Sequence, residues 1–345
     1  MIKLQDIKNR ARELLANGEV RAVIGYRNGS RGMAAEPAVI ADPNDAANIV
    51  WNPSCVHNLA LYLVDDRKRL TRKQETPTKP IAIMAKGCDA RAIVVLLQEN
   101  YFKREDVYIL GVSCETTGML DEHKLEQLKI RPDQFTAVEF DGDDFVLIKD
   151  AETQQRFPAR EIMADRCLEC RNPFPKLNNA VFGEEKARNL AAPFSALMQF
   201  EQNATQNTRW DFWQHQFERC IRCSACRSVC PMCYCEECIV DSITYSVMPD
   251  TTAEEKANRI RWIERSATRA NNIGYHLTRA LHLAGRCIDC GECERVCPVR
   301  IPLRLLNTKL ERDARERFGY EPGASVEVAS FVSSFRDNDP GNFIR

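Results

Sequence analysis

The stretch CIRCSACRSVCPMCYCEEC, residues 220–238, places seven cysteines in nineteen positions. It opens as Cys220-x2-Cys223-x2-Cys226-x3-Cys230-Pro231, and the same pattern recurs as Cys287-x2-Cys290-x2-Cys293-x3-Cys297-Pro298. Three cysteines at every third position can wrap one loop around a small inorganic centre. The fourth, ahead of a proline, stands where a new helix can begin.

That spacing is the one used to hold cubane iron–sulfur clusters, and in chains with two copies the fourth cysteine of each copy serves the other cluster. By this rule Cys220, Cys223, Cys226 and Cys297 hold one 4Fe-4S cluster, and Cys287, Cys290, Cys293 and Cys230 the second. Crossed ligation requires the two motifs to lie side by side, with residues 231–286 folding outward. Zinc is the weaker alternative, since its four-ligand knuckles do not call for the Cys-Pro ending. Eight buried structural thiols are the plain alternative, and a doubled twelve-residue pattern argues against them.

The two motifs are separated by helix-compatible sequence, and this arrangement resembles the helical ferredoxin module of heterodisulfide reductase small subunits and of succinate dehydrogenase iron–sulfur subunits. The resemblance covers roughly residues 205–310 and rests on eight cysteines and two prolines. It implies an electron wire without substrate chemistry of its own.

The rest of the chain limits the alternatives. In 345 residues, 48 basic and 49 acidic side chains nearly cancel, so nothing favours nucleic acid or an acidic membrane surface as partner. The N-terminus is charged throughout and lacks the apolar core of a secretion signal. The longest apolar runs, such as AIVVLL at 92–97, are far too short to span a bilayer. A cytoplasmic protein is expected, and in a reducing compartment dense cysteines bind metal more readily than they pair.

Alternation of strand-like and helical segments in the first half predicts an α/β domain over residues 1–175. VRAVIGY (20–26), PIAIMA (80–85) and DVYILGVSC (106–114) read as strands, and FTAVEFDGDDFVLIKD (135–150) as a hairpin turning at Asp141–Asp144. A helix is expected after Ser54, and another capped by Asp89. Residues 176–204 read as a helical linker, and 205–318 as an all-α dicluster domain. Thr252 and Glu255 suggest a capping box heading a long helix to about Leu283, broken near NNIG (271–274). Residues 303–318 form an amphipathic helix, and 319–345 an extended tail.

Four N-terminal cysteines are also placed suggestively. Cys88 and Cys114 each follow a predicted strand end, and Cys167-Leu-Glu-Cys170 is a CxxC in a predicted loop. The carboxyl edge of a parallel sheet is where ligands usually bind. The four could therefore converge on a third centre, with zinc or unligated thiols as alternatives. The pattern, over about residues 80–175, resembles the beta subunit family of deazaflavin-reducing hydrogenases and formate dehydrogenases. That resemblance implies a third 4Fe-4S cluster near a flavin. The flavin itself has little support: GYRNGSRG (25–32) is the only glycine-rich candidate, lacks GxGxxG spacing, and reads better as a plain turn.

Cys233, Cys235, Cys238 and Cys55 remain. As a helix, residues 233–238 would put Cys235 and Cys238 on one face. As a loop they could offer three ligands to a fourth cluster or a zinc ion, completed by Cys55. Packing of small soft side chains beside clusters is an equally good account. Of the five histidines, His57, His276 and His282 read as helix-face residues. Trp210, Trp213 and Phe217 read as core packing that excludes water, and Arg222, Arg227, Arg286 and Arg295 flank cluster cysteines. No catalytic constellation is found. The expectation is an electron-transfer subunit of anaerobic metabolism, working with a flavoprotein, hydrogenase, formate dehydrogenase or heterodisulfide-reductase-like partner. The rival is a flavin-bearing catalytic subunit acting on NAD(P)H or a deazaflavin.

Overall fold

The computed structural model describes residues 2–115, 118–186, 190–236, 238–241, 252, 263–264 and 266–335. The described chain divides into two compact units: Met1–Ser195 with Ile288–Cys290 and Pro322–Phe335, and Ala196–Cys287 with Gly291–Glu321. The first is mixed α/β and the helices of the second follow it, as expected from the sequence.

In the first unit, helix α1 (Leu4–Ala16) buries Ile7, Ala11, Leu14 and Leu15, an i, i+4, i+7, i+8 face. Strand β1 (Val23–Asn28) pairs antiparallel with β2 (Ala35–Ile40), which the sequence reading missed. β2 is an edge strand and tolerates Pro37 there, where no inward amide is needed. Helix α2 (Ala60–Lys73) starts later than expected; Val56 and His57 precede it. Strand β3 (Ile81–Ala85) is wholly buried and runs parallel to β1. Helix α3 (Gly87–Gln98) follows at once.

Asp89 caps α3 as expected, but from its third position, as the acidic member of a capping box. Its carboxylate accepts the Lys86 backbone N–H at 2.8 Å and the Leu59 N–H at 2.7 Å. Strand β4 (Val107–Val112) continues the parallel sheet, and α4 (Glu122–Gln127) is capped by Asp121. Strands β5 (Ala137–Asp141), β6 (Asp144–Ile148) and β7 (Gln154–Pro158) form a separate antiparallel meander. Its first turn joins Asp141 to Asp144, with Gly142 at φ +59°, a left-handed position that suits glycine.

Two one-turn helices, α5 (Ala159–Ile162) and α6 (Asp165–Leu168), come next, so Cys167 lies in a helical turn rather than a loop. Strand β8 (Ala180–Phe182) completes the main sheet in the order β2-β1-β3-β4-β8. It falls inside the stretch read as a helical linker.

The second unit holds α7 (Ser195–Asn203), α8 (Gln206–Glu218), α9 (Ala225–Ser228), α10 (Arg269–Leu283), α11 (Glu292–Arg295) and α12 (Leu303–Phe318). The boundaries of α12 match expectation. NNIG does not break α10 but lies within it. Asn272 is fully buried, and its amide donates to the carbonyls of Phe217 (2.9 Å) and Cys220 (2.8 Å), so it does not compete for its own backbone. Glu255 of the expected capping box lies outside the described residues, as do 336–345 of the tail. No helix among the described residues is long and apolar enough to cross a membrane.

Candidate iron–sulfur centres

The two motifs share one backbone conformation. Arg222 and Ser224 have φ of 55° and 59°, and the corresponding Asp289 and Gly291 have 55° and 68°. Each pair is followed by a one-turn helix, α9 or α11, and each fourth cysteine donates its N–H three residues back, Cys230 to Arg227 (3.2 Å) and Cys297 to Glu294 (3.1 Å). Left-handed residues alternating with extended or helical ones turn successive N–H groups toward a common hollow, an arrangement that holds anions and many iron–sulfur clusters. Arg222 and Ser224 adopt this geometry at a cost in backbone energy, which a bound centre would offset.

The sulfurs receive the matching donors. Cys220 Sγ accepts the Arg222 N–H at 3.4 Å, and Cys297 Sγ accepts the Ile301 N–H at 3.3 Å. Asn307 donates its amide to Cys293 Sγ at 3.6 Å. Cys226, Cys293 and Cys297 belong to one buried apolar cluster with Phe217, Val240, Tyr275, Ile301 and Leu303, and Cys220 and Cys238 pack against it. Burial raises the pKa of the Cys220 thiol, and nearby Cys226 and Cys297 raise it further. Burial likewise raises Cys226, which also feels Cys297 and Cys223. The four cysteines of the expected first cluster therefore lie within electrostatic reach of one another. The donor set fits a group whose iron charge would hold these thiols deprotonated.

In the first unit, Cys88 is the second residue of α3 and Cys114 follows β4, on the carboxyl edge of the sheet. The Cys114 N–H donates to Pro173 O at 3.0 Å, which ties the strand end to the segment after the CxxC. A Cβ on Gly87 would collide with the Asn172 carbonyl, and one on Gly118 with Cys167. The Met119 N–H donates to Cys167 Sγ at 3.3 Å. Cys88, Cys114, Cys167 and Cys170 line one cavity, together with Arg91 and Arg166. Burial, then Asp89, pushes the Cys88 thiol well up, Cys114 adds to this, and Lys86 and Arg166 oppose it. Among the described residues, no three Cys, His, Asp or Glu side chains converge as they would around a single metal ion. A cubane asks for a different arrangement, with each thiolate reaching its own iron.

GYRNGSRG covers the end of β1 (25–28) and the start of the turn into β2, with the Gly29 N–H bonded to Ala34 O at 2.7 Å. Residues 233–236 are not helical, so the shared-face reading of Cys235 and Cys238 does not hold. Cys235 is exposed, whereas a hydrogen bond with Cys230, then burial, raises the Cys233 thiol. Cys55 is completely buried, its Sγ faces Val50 O at 3.9 Å, and burial pushes its thiol up to about 12. Phe217 is core, Trp213 packs beside it, and Trp210 is 49% exposed. His57 is not helical; its carbonyl accepts Lys86 Nζ at 2.7 Å and the Tyr26 hydroxyl. Lys86, Tyr26 and Asp89 form a buried network with Lys86 Nζ 3.1 Å from Asp89 Oδ2, which sequence reading had no means to find.

The model of a 4Fe-4S dicluster domain matches residues 216–301. The chain thus carries a dicluster domain fused to an α/β region. At 23% identity, over 90% of this chain and 89% of the relative, it is similar to the F420-dependent formate dehydrogenase subunit beta of Methanocaldococcus jannaschii. At 22% identity, over 91% and 89%, it is similar to the F420-dependent formate dehydrogenase 1 subunit beta of Methanococcus maripaludis. A chain of the xenon-derivatised F420-reducing [NiFe] hydrogenase complex of Methanosarcina barkeri aligns with a TM-score of 0.39 and 13% identity, over 50% of this chain and 61% of that one.

Proposed function

We propose that this protein is an iron–sulfur electron-transfer subunit of a formate dehydrogenase- or hydrogenase-like oxidoreductase complex. Two 4Fe-4S clusters would be held in the crossed scheme, by Cys220, Cys223, Cys226 and Cys297 and by Cys287, Cys290, Cys293 and Cys230. A third would be held by Cys88, Cys114, Cys167 and Cys170. The observation that carries the reading is the repeated left-handed backbone around two CxxCxxCxxxCP motifs. The similarity along nine-tenths of the chain to beta subunits of formate dehydrogenases supports the assignment to such a complex.

Such clusters accept and pass on single electrons. The chain's own residues set the conditions for this. The apolar cluster around Cys226, Cys293 and Cys297 excludes water, and N–H donors to sulfur stabilise the more negative, reduced state. Cys223 and Ile221 are exposed, which leaves one edge of the first motif open to a redox partner.

A second reading has one observation in its favour: both relatives are named as F420-dependent. A deazaflavin delivers a hydride, two electrons at once, and single-electron centres need a flavin to divide them. The test is anaerobic purification and a count of iron, acid-labile sulfide, zinc and flavin per chain. About twelve irons, four per cubane, is the expected result. About eight would remove the third cluster, zinc without iron would overturn the reading, and stoichiometric flavin would favour the second one.

A further inference from the structure

Helix α10 turns a polar stripe inward. Asn272, Tyr275, His276 and Arg279, at i, i+3, i+4 and i+7, are 0%, 1%, 2% and 4% exposed. A buried helix face is normally apolar, and the stripe is matched to the first cysteine loop. Asn272 holds the Cys220 carbonyl at 2.8 Å, the Tyr275 hydroxyl lies 3.8 Å from Cys226 Sγ, and Arg279 Nη2 donates to Cys226 O at 2.9 Å.

Arg279 is the member whose presence needs explanation. Among the described residues it forms no ion pair with a carboxylate, and its Nε has no hydrogen-bond partner. A buried guanidinium without an anion is costly to desolvate. Its Nη2 partner Cys226 packs in one buried cluster with Cys293, Cys297 and Tyr275. Cys233, Cys230, Cys226 and Cys293 act on its charge, alongside Tyr275 and His276, and it hydrogen-bonds Cys233. Cys226 belongs to the first expected cluster, and the crossed scheme assigns Cys230 and Cys293 to the second.

We propose that Arg279 is one buried cation shared by both clusters of the dicluster domain, and that it raises both reduction potentials together. Among the described residues, thiolate sulfur and reduced cluster are what supply the compensating anion, so each added electron is stabilised by the same guanidinium. Cys233 takes part as the polar contact between Arg279 and Cys230 rather than as a ligand. Arg279 is a positioning and tuning residue and touches no substrate.

The inference rests on the relay reading, and the experiment separates the two. Full-length protein, purified without oxygen, is titrated redox-potentiometrically with the clusters followed by electron paramagnetic resonance, for wild type, Arg279→Gln and Arg279→Lys. The glutamine variant is expected to shift both C-terminal clusters to more negative potential, and the lysine variant to leave both near wild type. A shift of one cluster only, no shift, or equal shifts in the two variants would overturn the proposal. Where the glutamine variant loses iron, the lysine variant decides: iron and potentials retained support the shared charge, and iron lost there too means the guanidinium's shape, not its charge, is what matters. Fewer than about eight irons in the wild type (four per cubane) would instead sink the relay reading.

Discussion

The carbonyl oxygen of Asn172 occupies the space that a Cβ on Gly87 would need. This contact sets the segment after the CxxC directly against the start of α3, where Cys88 stands. Gly87→Ala forces that segment outward at a cost of about 1–3 kcal/mol. The expected outcome is loss of about four of about twelve irons per chain, with the dicluster signals intact. Iron analysis with electron paramagnetic resonance checks it, and an unchanged count would argue against a centre at these four cysteines.

Cys55 is enclosed by its own unit, with the Asn52 N–H 3.5 Å from its sulfur. Cys55→Ala should therefore leave the iron count unchanged and lower the melting temperature slightly, for a loss of about 1 kcal/mol. Loss of iron or zinc in this variant would instead support an additional site with Cys233, Cys235 and Cys238.

Lys86 and Asp89 are 2% and 0% exposed and lie 3.1 Å apart. Burial alone would lower the Lys86 pKa, but Asp89 and then Tyr26 more than offset it, and the ammonium stays charged. Lys86→Met leaves the Asp89 carboxylate buried without its counter-ion. A loss of about 3–5 kcal/mol is expected in chemical denaturation. A loss within experimental error of zero would mean that Asp89 is protonated in the native protein.

Glu201 on α7 and Arg312 on α12 form two hydrogen bonds of 2.7 Å. The guanidinium holds the Glu201 carboxyl below the usual range. A depressed carboxylate stabilises the fold above its unfolded pKa, and the contribution disappears as pH falls through the folded value. Because the pair is partly solvated, about 1 kcal/mol is expected. Wild type and Glu201→Gln should differ by this amount at neutral pH and converge in acid once pH falls below the depressed folded value, as read from denaturation midpoints across pH. A difference that persists in acid would assign the effect to packing.

Elements with a strong local pattern were legible in the sequence. The α12 helix carries its own 3.6-residue periodicity, and the Asp141–Asp144 hairpin carries its own turn chemistry. Strand β8 did not show itself, because three residues of polar surroundings have no period; the open edge of β4 makes them a strand. NNIG looked like a helix break because Asn and Gly are weak helix formers. Tertiary acceptors for Asn272 override that preference.

The same division holds for the candidate centres. Spacing alone set out the dicluster motif, because cluster ligation fixes sequence separations within a loop, and residues 216–301 match the dicluster model accordingly. Strand ends in the sequence also pointed to Cys88 and Cys114. What surrounds these thiols was decided only by the fold. Arg279 drew no reading in the sequence, and becomes a buried cation among cysteines only when α10 packs against α8. Ligand spacing is a local, covalent constraint that a sequence records directly. Burial and charge environment depend on which distant segments meet, and no window of sequence contains them.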